Sequence, residues 1–249
     1  MKLGAQFYSI RDLCETPEGL RDAFRRVKEI GYDIVQISGI GASITAKDIA
    51  ACVAEFDLPV TCTHMPYDRI VGDTDNVIAE NRLFGCDEIG IGGLGRFTEI
   101  GAARERFDAL REAAKKINAA GMTFAFHNHS GEFVKTAYGK LVHEELQKRT
   151  SIEFEIDTFW AFNAGLDPVK LITDLKDRIR VIHLKDGFKQ VGDVRAKGMS
   201  LGSGEAPVAA VREKALELGF LMVVESETQD PTGPAEVERC INYLKALEA

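Results

Sequence analysis

Apolar, β-rich runs recur along the chain, beginning near residues 3, 33, 59, 87, 122, 152, 180 and 220. Their spacing of 26 to 40 residues is the length of a strand–helix unit. Helical periodicity fills the gaps. Leu20, Phe24, Val27 and Ile30 recur at helical spacing, with Thr16 placed to cap the first turn, Pro17 at its first position and Gly31 as the stop. Phe107, Leu110, Ala114 and Ile117 repeat the pattern before Gly121. Asp167-Pro168 opens a helix carrying Leu171 and Leu175, and a last helix over 234–247 stripes Val237, Ile241 and Leu244.

Eight such units in 249 residues predict an α/β fold, a (β/α)8 TIM barrel, as one domain over 1–249. A doubly wound open sheet is the rival, but it would normally place a glycine-rich turn after the first strand. Here that strand runs into Gln6, Tyr8, Ser9, Arg11 and Asp12. The longest gap, 187–206, follows strand seven, holds a Gly202-Ser203-Gly204 turn and reads as an active-site loop.

The chemistry sits where the apolar runs stop. Strand five runs into His127, His129 and Glu132, strand six ends at Asp157, strand seven carries His183, and strand eight ends at Glu225. In a parallel barrel all of these emerge at the C-terminal rim, where catalytic groups collect. Carboxylates and a histidine at one rim make a divalent-metal site. Glu132, Asp157, His183 and Glu225 are the expected ligands, with His127 and His129 as alternatives to Glu132 or as substrate contacts. That oxygen-rich set suits Mn²⁺ first, then Zn²⁺, Co²⁺ or Mg²⁺.

Each residue also has an ordinary reading. Asp157 could cap the next helix, His183 could be a core histidine bonded to backbone, and Glu225 could pair with a rim cation. His64, at the end of strand three, reads as a substrate contact. Trp160, the single tryptophan, reads as a pocket wall. Gln6 and Tyr8 leave strand one toward the same rim. Lys185 shares the face of His183 and could stabilise an enolate or pair with a rim carboxylate. Gly90, Gly92 and Gly93 leave strand four without side-chain donors and so leave room for substrate. His143 lies in a polar helical stretch and reads as solvated surface. Cys62 shares a face with His64 but reads as packing.

Composition narrows the classes. A net charge of −8 argues against nucleic-acid binding. No apolar stretch has the ~18 residues of a membrane span. The N-terminus reads as a first strand without a signal h-region. Five scattered cysteines without a CxxC pair read as reduced thiols of a cytoplasmic protein.

The segments AQFYSIRD (5–12), YDIVQISGI (32–40), THMPYDRI (63–70), FHNHSGEF (126–133), EIDTFW (155–160), IHLKD (182–186) and VVESE (223–227) together give a whole-chain resemblance. The chain resembles the sugar-phosphate isomerase/epimerase superfamily, the xylose-isomerase-like TIM barrels that also include endonuclease IV. The resemblance implies one divalent metal held by Glu, Asp, His and Glu from strands five to eight. Asp157, His183 and Glu225 match directly. Many relatives end strand five with Glu where this chain has His127, which makes Glu132 the nearest carboxylate. In ketose epimerases of this kind, two metal-bound glutamates exchange a proton on opposite faces of an enediolate. Endonuclease IV relatives use three zinc ions and additional histidines; this chain has Trp160 at one such position and no histidine after His183.

The expected function is therefore metal-dependent isomerisation or epimerisation of a sugar, keto-sugar or inositol derivative, beginning with proton loss next to a carbonyl. Glu132 and Glu225 are the expected bases, with His127 or His129 in reserve and Lys185 in support. The departure at strand five keeps open a lyase or dehydratase acting on a 3-keto sugar or keto-inositol. A non-catalytic sugar-binding barrel is the second alternative. The expected partner is a small unphosphorylated sugar-like molecule. A homodimer is an open expectation, since barrels of this type often pair.

Overall fold

The computed structural model describes residues 2–94, 100–136 and 139–248. Eight parallel strands close into a barrel: β1 (Leu3–Gln6), β2 (Ile34–Ile37), β3 (Val60–His64), β4 (Glu88–Ile91), β5 (Thr123–His127), β6 (Glu153–Asp157), β7 (Ile179–Leu184) and β8 (Leu221–Val224). Each pairs with its sequence neighbours, and β8 closes onto β1. The expected (β/α)8 fold is therefore present. Among the described residues, no helix is long and apolar enough to cross a membrane.

The helices form where the periodicity places them. Thr16 Oγ1 accepts from Gly19 N at 3.2 Å, Pro17–Ile30 is helical, and Gly31 ends it at φ +107°. That left-handed conformation carries little steric cost for glycine. Asp167 caps Pro168–Asp174, and Gly233–Ala246 is the last helix. Leu20, Phe24 and Val27 are fully buried against the strands. His143 departs from expectation. It is buried, with its ring stacked 4.4 Å from Phe154, because the helix Val142–Arg149 turns this face onto the barrel.

Parallel register sets the functional rim. Asp157 pairs with His183, His183 with Val223, and His127 with Glu155. Alternate residues along a strand share a face, so Glu155 lies one layer below Asp157 and Cys62 one below His64. After β7 the chain makes an antiparallel hairpin of Asp186–Phe188 and Lys197–Met199.

Candidate metal and substrate site

Two backbone-to-side-chain locks set the ends of β5 and β6. Asn128 Oδ1 accepts from Asp157 N at 3.0 Å, and Asn128 Nδ2 donates to Asp157 O at 3.1 Å. Asp157 also fulfils its ordinary reading, because Oδ1 accepts from Trp160 N at 2.8 Å and caps the next helix. Its Oδ2 makes no hydrogen bond and lies 3.4 Å from Lys185 Nζ.

His127, Asp157, His183 and Glu225 converge, with one ligand-type atom from each lying within 4.8 Å of all the others. All four are buried. His127 Nδ1, Asp157 Oδ2 and His183 Nδ1 lack hydrogen-bond partners. His183 Nδ1 is 2.8 Å from Glu225 Oε2 but off the line of a hydrogen bond. Buried polar atoms are ordinarily satisfied, so three such atoms drawn together suit a bound cation. Charge points the same way. Lys185 Nζ is 3.4 Å from Asp157, 3.1 Å from Glu225 and 2.5 Å from Glu227, so three carboxylates share one ammonium.

Glu132 does not join this group. Its carboxylate accepts from His129 N at 2.9 Å and closes the short turn Ser130–Phe133. His127, which ends β5, is the fourth member of the compact group. His64 lies one strand over, 5.0 Å from His127 ring to ring. Below them Glu155, fully buried, accepts from His64 Nε2 at 2.6 Å, from Gln36 Nε2 at 2.9 Å and from Cys62 Sγ. A second grouping of His64, His127, Glu155 and His183 is also compact. Its carboxylate already has three donors, so it fits a cation less well.

Electrostatics tunes the site. Burial raises the Asp157 carboxyl to about 6, with Lys185 opposing the rise. Burial also works to raise Glu225, but the Lys185 ammonium and His183 outweigh it and hold this carboxyl well below its usual range. Burial, aided by nearby His183 and His64, drives His127 well below the ordinary histidine value, so its imidazole is neutral and able to bind a metal. Burial opposes the charge on Lys185, but Glu225 and Asp157 keep it protonated. A charged ammonium held by carboxylates suits an electrostatic role.

Gln6, Tyr8, His64, His127, His129 and Glu225 line an inner chamber of about 250 Å³. Gln6 Nε2 is buried there without a partner. Trp160, His129 and Glu132 line an outer cavity of about 790 Å³. Gly92 and Gly93 border this cavity. Gly90 does not serve substrate: a Cβ there would lie 2.7 Å from Glu155 Oε1, so its space belongs to the buried carboxylate. The Gly202–Gly204 turn is also occupied, since Gly202 N, Gly204 N and Ala206 N donate to Asp186 at 2.9 to 3.0 Å. These amides are not free to hold a phosphate.

Sequence reasoning missed Glu155, Gln36, Asn128 and Glu227. Glu155 stands two residues before Asp157, and Gln36 is polar inside the apolar strand Ile34–Ile37. Both were visible as polar residues at inward positions.

The chain belongs to the xylose isomerase-like TIM barrel family, whose profile matches residues 24–247. It is similar to the inosose dehydratase of Geobacillus kaustophilus (strain HTA426), at 37% identity over 79 residues, 32% of this chain and 26% of that protein. It is similar to the 3-dehydro-D-guloside 4-epimerase of Escherichia coli (strain K12), at 34% identity over 89 residues, 36% of this chain and 31% of that protein. The matched stretches thus span about a third or less of either relative's length. A sugar phosphate isomerase/epimerase structure from Parabacteroides distasonis ATCC 8503 superposes with TM-score 0.81 at 21% identity, over 98% of this chain and 97% of that one. That likeness is one of fold.

Proposed function

We propose that the protein is a metal-dependent enzyme that removes a proton next to the carbonyl of a sugar, keto-sugar or inositol derivative. The observation that carries this reading is the set of buried, unpartnered ligand atoms on His127, Asp157 and His183 beside Glu225. The two curated relatives, an epimerase and a dehydratase of sugar-like molecules, support the same substrate class.

His127, Asp157, His183 and Glu225 would hold the cation. Two nitrogens and two oxygens suit Mn²⁺, Co²⁺ or Zn²⁺ better than Mg²⁺. When bound, such an ion supplies Lewis acidity to a substrate oxygen and lowers the cost of an enediolate. Glu225 is ionised and lines the inner chamber, which makes it the first candidate to accept the α-proton. Lys185, held against Glu225 and Glu227, stabilises negative charge that develops on the substrate. Gln6 Nε2 and His64 orient the sugar hydroxyls. Glu132, on the outer cavity, is the candidate for a second proton transfer only if the substrate reaches outward.

A second reading, elimination, is favoured by one observation. With His127 in place of a carboxylate, the cluster has a single glutamate, Glu225, and two opposed glutamates are the feature an epimerase would use. A lyase needs one base and a proton donor for the leaving group.

The test combines metal content with solvent exchange. The purified protein, reconstituted with Mn²⁺, Co²⁺ or Zn²⁺, is expected to hold about one ion per chain, and the D157A and E225A variants none. Deuterium from solvent is expected at the carbon next to the carbonyl of a keto-sugar, and E225Q is expected to abolish it. Absence of metal after reconstitution would overturn the reading.

A further inference from the structure

The inner chamber cannot account for the whole cavity. At about 250 Å³ it holds the volume of roughly eight water molecules at ~30 Å³ each, enough for one sugar ring. The outer chamber, at about 790 Å³, lies in the range of ~300–1,000 Å³ that holds drug-sized ligands. The two adjoin, because Gly92 and His129 line both. A free monosaccharide in the inner chamber would leave the outer one filled with water.

The linings also differ in character. The inner wall is polar, built from Gln6, His64, His127, His129 and Glu225. The outer wall adds the large apolar and aromatic side chains Met65, Tyr67, Ile91 and Trp160 to polar Glu132 and Asn163. Flat aromatic walls gain most from a flat apolar partner, which a polyol is not. At the mouth stands Arg195, exposed and without an ion pair or hydrogen bond among the described residues. Its loop is tied down by Gln190 N, which donates to Asn163 Oδ1 at 2.8 Å. An exposed, unpaired guanidinium beside Met65, Tyr67 and Trp160 complements an anion.

We propose that the outer chamber binds the second half of a conjugated substrate: a keto-sugar ring joined through its anomeric oxygen to a flat, apolar group with an anionic end. This rests on the keto-sugar reading of the inner chamber. Trp160, Tyr67 and Met65 receive the flat group, and Arg195 receives the anion. The free sugar is then a poorer ligand than its aryl conjugate.

Trp160 is the single tryptophan of the chain, so tryptophan fluorescence arises from the wall of this chamber. The metal-reconstituted protein is titrated with methyl and with 4-carboxyphenyl 3-keto-β-D-glucopyranoside, and deuterium exchange into each is followed in parallel. The aryl compound is expected to change Trp160 emission saturably and to bind at least about tenfold more tightly, a difference of about 1.4 kcal/mol. R195A is expected to weaken the carboxyphenyl compound about tenfold and the unsubstituted phenyl compound less than twofold. Equal affinity for methyl and aryl compounds, with exchange proceeding in both, overturns the subsite and leaves the proton-abstraction reading standing. Tight aryl binding seen by Trp160 without exchange in either compound overturns the proton-abstraction reading and leaves the subsite standing.

Discussion

Gln36 Oε1 lies 2.6 Å from His183 Nε2, while Gln36 Nε2 donates to Glu155 at 2.9 Å. The carboxylate can only accept, so the amide orientation is fixed and Nε2 of His183 must carry the proton. Nδ1, on the side of Glu225, is thereby the nitrogen left free for a metal. A histidine ligand is commonly held this way through its other nitrogen. Q36L is expected to weaken metal affinity about 10–100-fold, measured by competition with a chelating dye. Unchanged affinity would remove Gln36 from this role.

Lys185 is an ammonium shared by three carboxylates. Fully buried among Asp157, Glu225 and Glu227, it cannot be removed without leaving carboxylates uncompensated. K185M is expected to lose about 3–5 kcal/mol of stability in chelator. Mn²⁺ or Zn²⁺ should restore most of that, because a dication neutralises the same oxygens. Urea unfolding with and without metal measures both. A variant equally stable in chelator would show that the ammonium contributes nothing to the fold.

His143 gives a pH dependence away from the site. Burial lowers it to about 4 from 6.5, so the unfolded chain takes up the proton first on acidification. Its stabilising contribution is complete above the unfolded value of 6.5 and is lost as pH falls toward 4. At 1.36 kcal/mol per pH unit this amounts to about 3 kcal/mol. H143F keeps the stacking on Phe154 and removes the titration. The difference in unfolding free energy between about pH 7 and pH 4 should shrink by about that amount. An unaltered pH profile would mean that His143 is not buried.

Gly90 makes room for Glu155. An added Cβ would lie 2.6 Å from the Thr63 carbonyl and 2.7 Å from Glu155 Oε1, and the backbone atom cannot yield. G90A is expected to cost about 1–3 kcal/mol. G101A meets nothing within 4 Å and should be neutral. Thermal melts of both variants check the contrast, and a neutral G90A would contradict the close packing around the buried carboxylate.

Legibility followed the range of the interaction. The first helix was readable to its caps because Thr16, Pro17 and Gly31 act within one turn of the backbone they satisfy. Asp157, His183 and Glu225 were readable because each ends an apolar strand, and parallel strands deliver their ends to one rim. Glu132 was harder. It lies three positions after His129, and its carboxylate accepts a local hydrogen bond from His129 N outside the cluster. His143 was misread because its neighbours are polar, while the helix as a whole presents that face to Phe154.

The sequence by itself therefore determined the barrel, its eight strands and the rim on which the chemistry lies, since periodicity and caps are local properties. Only the tertiary structure decided which donors meet. Gln36 and His183 are 147 residues apart, and Cys62 and Glu155 are 93 apart. Their contact depends on barrel closure and register across non-adjacent strands. So do the grouping of His127 with Asp157, His183 and Glu225 and the two adjoining chambers.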